Sequence, residues 1–301
     1  MQENLIEQMR RAIEPLHHIH KVGRVTGVSA GSVKCACPSD EIRVGDRGTV
    51  HCAEKLQDGE VVKLDQSGTY LMLDGATDGV SMNDRVVFRP APILAPHHGW
   101  IGRVIDPDGQ PLDGRPLLPG ANPYDINAFP PSPHRRRGLG QRLETGLAVF
   151  NTLLPLVRGQ RLGLFAGSGV GKSMLLADLA KGVEADVIVI ALVGERGREV
   201  GHFVDHVLGA DGMKRAILVA ATSDTGPQVR RRCALSATAV AEYFRDSGLH
   251  VLLLIDSVTR FCEAHRELAV ASGENANLRG YPASTGPAIA RLCERAGPGS
   301  G

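Results

Sequence analysis

The sequence lacks an excess of charge of either sign, and it also lacks long apolar runs. It holds 34 Lys and Arg residues against 33 Asp and Glu residues, for a net charge of +1. This balance gives no general electrostatic basis for binding nucleic acid or an acidic membrane. No apolar segment reaches the length of a membrane span, and residues 1–16 lack the apolar centre of a signal peptide. We therefore expect a cytoplasmic protein.

Cysteines are few, and their spacing does not suit a metal site. The six cysteines are scattered along the chain, and only Cys35 and Cys37 lie close together. No second cysteine pair and no flanking histidines complete a zinc ligand set. The pattern therefore indicates ordinary reduced thiols.

Changes in residue pattern divide the chain into four regions. Residues 1–20 are predicted to form an amphipathic helix, because apolar residues recur there every three or four positions. These residues are Leu5, Met9, Ile13 and Leu16. In residues 21–90, short β-prone segments alternate with Gly, Asp and Asn turn signals, which predicts a small β-barrel or sandwich. Residues 91–142 are rich in Pro and Gly and are interpreted as a connecting region, and residues 143–301 follow as a separate unit.

The last region, residues 143–301, has the pattern of an α/β core. Four apolar segments, at residues 161–165, 186–193, 216–221 and 250–256, are predicted to be strands buried on both faces. Helical stretches separate them, and the clearest is predicted from Gln228 to about Ser247. Strands that alternate with helices indicate a largely parallel sheet. The predicted fold is therefore α/β, with an N-terminal small β-barrel followed by a phosphate-loop core.

The segment AGSGVGKS fits the phosphate-loop pattern except at its first position, where Ala replaces the usual Gly. It is preceded by an apolar segment and followed by a predicted helix, as the motif requires. Its backbone amides, together with the helix N-terminus, would form an anion site, while Lys172 would reach the β and γ phosphates of ATP and Ser173 would hold Mg²⁺. The predicted nucleotide-binding residues are Ala166, Gly167, Ser168, Gly169, Val170, Gly171, Lys172 and Ser173.

Two acidic residues follow predicted strands of the same sheet. Asp256 ends the apolar segment HVLLLID, where a carboxylate would hold the Mg²⁺ shell. Glu195 follows the segment DVIVIALVG, at the carboxyl edge where ligands of open α/β sheets bind. Glu195 is therefore a candidate for the base that activates the attacking water. The residues alone leave open a second interpretation, in which Glu195 pairs with Arg196 or Arg198 on the surface.

Six segments of the chain carry a resemblance to a known family. They are RGQRLGLFAGSGVGKSMLL, ALVGERGREV, ATSD at residues 221–224, AEYFRDSG, LLLIDSVTRF and RGYPAS. These segments resemble the flagellar protein-export ATPases, whose relatives are the type III secretion ATPases of injectisomes and the catalytic subunits of rotary ATP synthases. The resemblance runs from about residue 102 to residue 297 and is looser before residue 90. It implies a RecA-like ATPase core that works as a homohexamer with nucleotide sites between subunits.

The resemblance also implies roles for individual residues and partners. It favours Glu195 as the catalytic base, because non-catalytic relatives carry Gln at the matching position. It assigns supporting catalytic roles to Arg196 and Arg260 beside Lys172, and it implies Mg²⁺ with ATP. The implied partners are the flagellar export apparatus, export chaperones and their substrates, and a regulatory partner at the N-terminal helix. That helix also implies peripheral contact with the cytoplasmic face of the inner membrane.

The chain departs from the family pattern in two places. It has GENANLRGYPAS where the family usually has a Pro-rich GEPP before RGYP, and it stops at GPGSG soon after LCERAG. Family members continue there with more sheet and a helical domain, which carry the adenine contacts and the arginine supplied to the neighbouring subunit. We therefore expect a C-terminally truncated chain with an incomplete core, weak affinity for nucleotide and slow hydrolysis.

Other functions remain open at this point. The injectisome ATPases share every core motif quoted above. A nucleotide-binding module without turnover is also compatible with a truncated chain. A nucleic-acid translocase similar to the transcription terminator Rho is disfavoured, because residues 1–90 hold only Tyr70 and Phe88 as aromatic platforms for stacking bases. The leading expectation is ATP hydrolysis coupled to type III protein export for flagellum assembly, without a nucleic-acid partner.

Overall fold

A computed structural model describes residues 21–29, 31–37, 41–167, 170–276 and 280–299. The predicted helix at residues 1–20 lies outside the described residues. The described chain forms a closed antiparallel barrel followed by an α/β core with a parallel sheet. The fold class predicted from the sequence is therefore confirmed.

The barrel consists of six antiparallel strands in the order β1-β2-β5-β4-β3-β6. Alternate residues along each strand point inward, so that valines and leucines fill the interior, as period-two patterning requires. The sequence pattern did not single out β2, which is short and polar at alternate positions. The strands are β1 Lys21–Ser29, β2 Ser32–Ala36, β3 Arg47–His51, β4 Leu56–Asp65, β5 Gly68–Leu73 and β6 Arg85–Arg89.

The core is built on a four-stranded parallel sheet in the order β10-β8-β9-β7. Its two central strands, β8 and β9, are buried on both faces, which explains why their sequences are almost entirely apolar. The short strand β7 comes from the Pro- and Gly-rich connecting region and pairs with β9. The strands are β7 Val104–Ile105, β8 Val187–Glu195, β9 Ala216–Thr222 and β10 Val251–Asp256.

Helices cover both faces of this sheet. The longest, α5, packs with α6 and α7 against one face, and the helical turns between Val200 and Met213 pack with α2 against the other. The predicted helix from Gln228 to about Ser247 is confirmed as α5. The helices are α1 Ala148–Thr152, α2 Lys172–Gly182, α3 Gly197–His202, α4 Gly209–Met213, α5 Pro227–Asp246, α6 Val258–Ala271 and α7 Thr285–Arg295, with a π-helical turn at Phe203–Leu208.

The strand predicted at residues 161–165 is wrong. This segment pairs with none of the described strands, and the Phe165 side chain is 98% exposed. Leu164 alone packs partly, against a small cluster around Phe150 and Leu179. Apolar character predicts a tendency to be buried, whereas a strand also needs a neighbour that accepts its backbone hydrogen bonds. None of the described strands supplies that neighbour.

Polar contacts join the barrel to the first two turns of α5. Gln228 donates from Nε2 to the Met72 carbonyl at 3.3 Å and to Asp74 Oδ1 at 2.9 Å. Arg232 contacts Glu60 at 2.5 Å and Asp108 at 2.9 Å. These bonds tie the barrel to the helix that packs on the sheet. None of the described helices is long and apolar enough to cross a membrane.

Candidate nucleotide site

The predicted phosphate loop leads directly into α2. Gly171 has a φ of +93°, a left-handed backbone conformation that residues other than glycine rarely adopt. Helix α2 begins at the next residue. Ala166, Gly167 and Val170 are exposed, and Ser168 and Gly169 lie outside the described residues. The first amides of this 11-residue helix have no acceptor within the helix, which suits an anionic ligand at its N-terminus.

Lys172 and Ser173 contact Asp256, although Asp256 lies more than 80 residues further along the chain. Lys172 Nζ lies 2.5 Å from Asp256 Oδ1, and the Ser173 hydroxyl lies 3.5 Å from Asp256 Oδ2. Asp256 is only 5% exposed at the end of β10, so its charge needs a partner. Lys172 supplies that partner. The predicted phosphate-binding cation and the predicted metal-side carboxylate thus neutralise each other.

Glu195 is positioned by a bulge at the end of β8. The pairing of β8 with β9 shifts between Val193 and Glu195, so that Gly194 is an extra residue with a φ of +69°. Asp256 pairs with Leu192 on the adjacent strand, which places both carboxylates at the carboxyl edge of the sheet. Ligands of open α/β sheets bind at this edge. The structure therefore brings Glu195 into the region of the Lys172–Asp256 pair.

The protonation of Glu195 is strongly affected by its surroundings. Burial raises the pKa of Glu195 to about 7, and a hydrogen bond with Glu199 and the negative charge of Asp256 act in the same direction. The charge of Arg260 acts in the opposite direction. The hydrogen bond to Glu195 and the charge of Arg196 lower the pKa of Glu199. The pKa of Glu195 therefore lies above that of Glu199 and near the value that suits a general base at neutral pH.

Arginines surround this edge of the sheet. Arg196 Nη1 lies 3.4 Å from Glu199 Oε1, and Arg260 Nη1 lies 3.7 Å from Glu263 Oε2. A side chain at Gly194 would approach Arg260 at 3.7 Å and Arg230 at 3.5 Å. Arg196 and Arg260 thus flank Glu195 rather than contact the Lys172–Asp256 pair.

Sequence reasoning missed Glu199 and Arg230. Glu199 lies only four residues after Glu195 in the segment GERGREV, and this closeness in sequence was a usable signal for the first of them. Arg230 reaches the site from α5, where it donates to the Thr225 carbonyl at 3.1 Å and contacts Glu267 at 2.9 Å. No local pattern connects α5 to the end of β8, so the sequence held no comparable signal for this residue.

The oxygen atoms of Ser173 and Asp256 are of the kind that Mg²⁺ prefers, but they do not form a complete binding site for the ion by themselves. Mg²⁺ is usually bound by one or two protein oxygens together with substrate phosphates and water. The described residues contain no group of three or more His, Cys, Asp or Glu side chains that could hold a metal ion. A metal ion at this position would therefore depend on phosphate oxygens for most of its coordination.

The electrostatics give a testable prediction for Glu199. Replacing Glu199 with Gln removes the negative partner that favours the protonated form of Glu195, so the pKa of Glu195 should fall from about 7 toward its ordinary value. Carbon-13 NMR of labelled glutamate carboxyls in the nucleotide-free protein measures this titration, and the Glu195→Gln variant identifies the signal. Glu184→Gln, an exposed change before the opposite end of β8, is the matched control. An unchanged or higher pKa in Glu199→Gln would contradict the assignment.

Comparison with known proteins places this geometry in a family. Residues 146–301 match the model of the ATP synthase alpha/beta family, nucleotide-binding domain. The "Flagellum-specific ATP synthase" of Agrobacterium fabrum is 43% identical over 95% of this chain and 61% of the relative. The "Type 3 secretion system ATPase" of Xanthomonas euvesicatoria is 44% identical over 81% of this chain and 55% of the relative. The chain thus spans about three fifths of the length of the Agrobacterium relative.

A solved structure shares the arrangement of barrel and core. It is that of the assembled ATPase EscN in complex with its central stalk EscO, from the type III secretion system of enteropathogenic E. coli. The two chains are 35% identical and superimpose with a TM-score of 0.82 over 92% of this chain and 69% of EscN. The shared region thus includes both the barrel and the core that carries the loop, Glu195 and Asp256.

Proposed function

Because this chain belongs to the ATP synthase alpha/beta family, we propose that it binds Mg-ATP and hydrolyses it to ADP and phosphate. The observation that carries the proposal is the convergence of Lys172, Ser173 and Asp256 at the sheet edge where Glu195 also lies. A cation, a hydroxyl, a metal-side carboxylate and a base are the groups that phosphate-loop hydrolysis requires. The four arise from three separate segments, so their convergence depends on the fold.

The site must rearrange when nucleotide binds. Residues 166–171 would surround the phosphates with backbone amides, and Lys172 would turn from Asp256 to the β and γ phosphates. Ser173 and Asp256 would then hold Mg²⁺, which neutralises negative charge on the phosphate oxygens. Asp256 would exchange Lys172 for Mg²⁺ as a partner, so that the buried carboxylate would remain paired with positive charge.

Glu195 would act as the base in the hydrolytic step. It has to be ionised to accept a proton from the attacking water, and its raised pKa makes that ionisation dependent on pH near neutrality. Arg260 favours the ionised form of Glu195. Arg196 forms an ion pair with Glu199, which in turn acts on Glu195. We assign both arginines supporting roles, since they tune Glu195.

At the level of the cell, we propose that ATP hydrolysis drives type III protein export for flagellum assembly. The similarity to flagellum-specific ATP synthases supports this function. The protein would work as a homohexamer in the cytoplasm, at the face of the inner membrane, with the export apparatus, chaperones and export substrates as partners. The structure of EscN with a central stalk supports an assembled form and a regulatory partner. Nucleic acid has no place in this function.

An injectisome role is the second candidate, because the Xanthomonas type 3 secretion system ATPase is 44% identical. Deleting the gene in the organism that carries it separates the two. Loss of flagellar filaments with normal secretion of virulence proteins supports the flagellar function. Loss of virulence-protein secretion with normal filaments would replace it with the injectisome function.

Nucleotide binding is tested directly by Lys172→Ala. The change removes the cation that would contact the phosphates, and hydrogen bonds to charged groups contribute enough that affinity should fall about tenfold to hundredfold. Equilibrium titration with a fluorescent ATP analogue measures this loss. Lys181→Ala, at the exposed end of the same helix, is the matched control and should bind as the wild type does. Undiminished affinity in Lys172→Ala would refute the phosphate-loop assignment.

A further inference from the structure

A cavity lies at the junction of the barrel and the core, away from the nucleotide site. It has a volume of about 440 Å³ and is lined by the barrel, by residues 91–94 and 123–127 of the connecting region, and by the first three turns of α5. Ile93, Leu94, Tyr124 and Leu235 supply apolar walls. This size falls within the range of small-molecule pockets, which typically combine apolar walls with a few polar groups.

Most charges around this cavity already have partners. Arg232 contacts Glu60 at 2.5 Å and Asp108 at 2.9 Å, and it is almost fully buried. Asp125 accepts a hydrogen bond from the backbone amide of Asn127 at 2.8 Å. These groups therefore form a largely paired polar frame, in which Arg232 Nε and Asp108 Oδ1 lie close together as an ion pair but lack hydrogen-bond geometry.

Arg231 differs from this frame. It lines the same cavity and is partly buried, but within the described part of the chain it makes no hydrogen bond and no ion pair. Burial lowers the pKa of its guanidinium, while the charge of Glu60 acts in the opposite direction. An unpaired guanidinium that lines a cavity is available to bind an anion, and a carboxylate fits its planar donors in a bidentate manner. The cavity therefore favours a carboxylate beside Arg231.

Gln228 adds a second unmet requirement. Its side chain is 1% exposed and lines the same cavity. Its Nε2 donates to Met72 and Asp74, which fixes the orientation of the amide, and its Oε1 is buried without a hydrogen-bond partner among the described residues. A buried acceptor without a donor costs free energy. A ligand that carries an O–H or N–H group beside its carboxylate would supply that donor.

We propose that this cavity binds a small organic acid with an apolar body and a hydrogen-bond donor next to its carboxylate, of the hydroxy-acid or amino-acid class. Arg231 would bind the carboxylate, Gln228 Oε1 would accept from the donor, and the apolar body would lie against Ile93, Leu94 and Leu235. Because the walls come from both the barrel and α5, the ligand would also strengthen the junction between the two parts. The proposal does not depend on nucleotide binding.

Three related compounds test the proposal on the wild-type chain without nucleotide. The probe is 2-hydroxy-4-methylpentanoate, compared with its amide, which lacks the charge, and with 4-methylpentanoate, which lacks the hydroxyl. Ligand-observed NMR titration should show saturable binding of the probe. The amide should bind about tenfold or more weakly, and loss of the hydroxyl should weaken binding about threefold to tenfold. No saturation by the probe, or equal binding of the acid and its amide, would overturn the proposal.

Two variants locate the site. Arg231→Met keeps an unbranched side chain but removes the charge, so the preference for the acid over the amide should disappear. Arg137→Met, at an exposed position of the connecting region, is the matched control and should keep that preference. Thermal melting checks that both variants fold. If Arg231→Met does not fold, the comparison of the acid with the amide on the wild type still tests the proposal. An unchanged preference in folded Arg231→Met would overturn the assignment.

Discussion

Replacing Glu195 with Gln is expected to lower the rate of ATP hydrolysis by about 10² to 10⁴ fold without lowering the affinity for Mg-ATP. Gln has nearly the same shape and still forms hydrogen bonds, but it cannot accept a proton from water. The position of Glu195 is fixed by the bulge at Gly194, so the variant should keep the local backbone. A phosphate-release assay measures the rate, and titration with the fluorescent ATP analogue measures the affinity.

The control for this change is Glu184→Gln, the same substitution at an exposed position before the opposite end of β8. It should hydrolyse ATP at the wild-type rate. The wild type should also gain activity as the pH rises through about 7, because Glu195 becomes ionised over that range. Hydrolysis by Glu195→Gln at the wild-type rate would return Glu195 to the alternative interpretation of a surface ion pair with a neighbouring arginine.

The second large effect is expected on stability, from Arg295. This residue is 1% exposed in α7, and its guanidinium binds Glu242 of α5 through two bonds, at 3.0 and 2.6 Å. It also donates to the Ile126 carbonyl of the connecting region. Arg295→Leu would leave Glu242 buried without its partner, and breaking a buried pair in this way typically costs about 3 to 5 kcal/mol. Urea denaturation should show that loss in the free energy of unfolding.

A double variant separates the lost pair from lost packing. When both partners are replaced by apolar residues, a buried pair often costs little, because no charge remains in the interior. Arg295→Leu combined with Glu242→Leu should therefore recover much of the stability that the single variant loses. If Arg295→Leu unfolds at the wild-type urea concentration, the pair does not join α7 to α5 in solution.

The parts of the site that short local sequence patterns specify could be predicted from the sequence. The glycine-rich loop before a helix, and carboxylates at the ends of apolar strands, are short patterns with a direct physical meaning. They identified Lys172, Ser173, Asp256 and Glu195, and the structure brings the first three together at the sheet edge where Glu195 lies. The roles of these residues in catalysis stay predictions until the variants are measured.

The features that the sequence did not predict depend on contacts between distant segments. Apolar character predicted a strand at residues 161–165, but whether a strand forms is decided by a hydrogen-bonding partner, which local sequence does not specify. The barrel strand β2 was missed because its polar residues alternate with short apolar ones. Arg230 and Arg295 find their partners across about 37 and 53 residues, respectively, and no local periodicity encodes such pairs.

One measurement tests the central claim that the loop at residues 166–173 binds Mg-ATP and that Glu195 activates the water that cleaves it. Wild type, Lys172→Ala and Glu195→Gln are each mixed, in excess, with ATP labelled at its γ phosphate, and bound ATP and released phosphate are followed over hours. The account predicts that the wild type binds ATP and slowly releases phosphate, that Glu195→Gln retains intact ATP, and that Lys172→Ala retains almost none. Equal retention and equal phosphate release by all three proteins would contradict it.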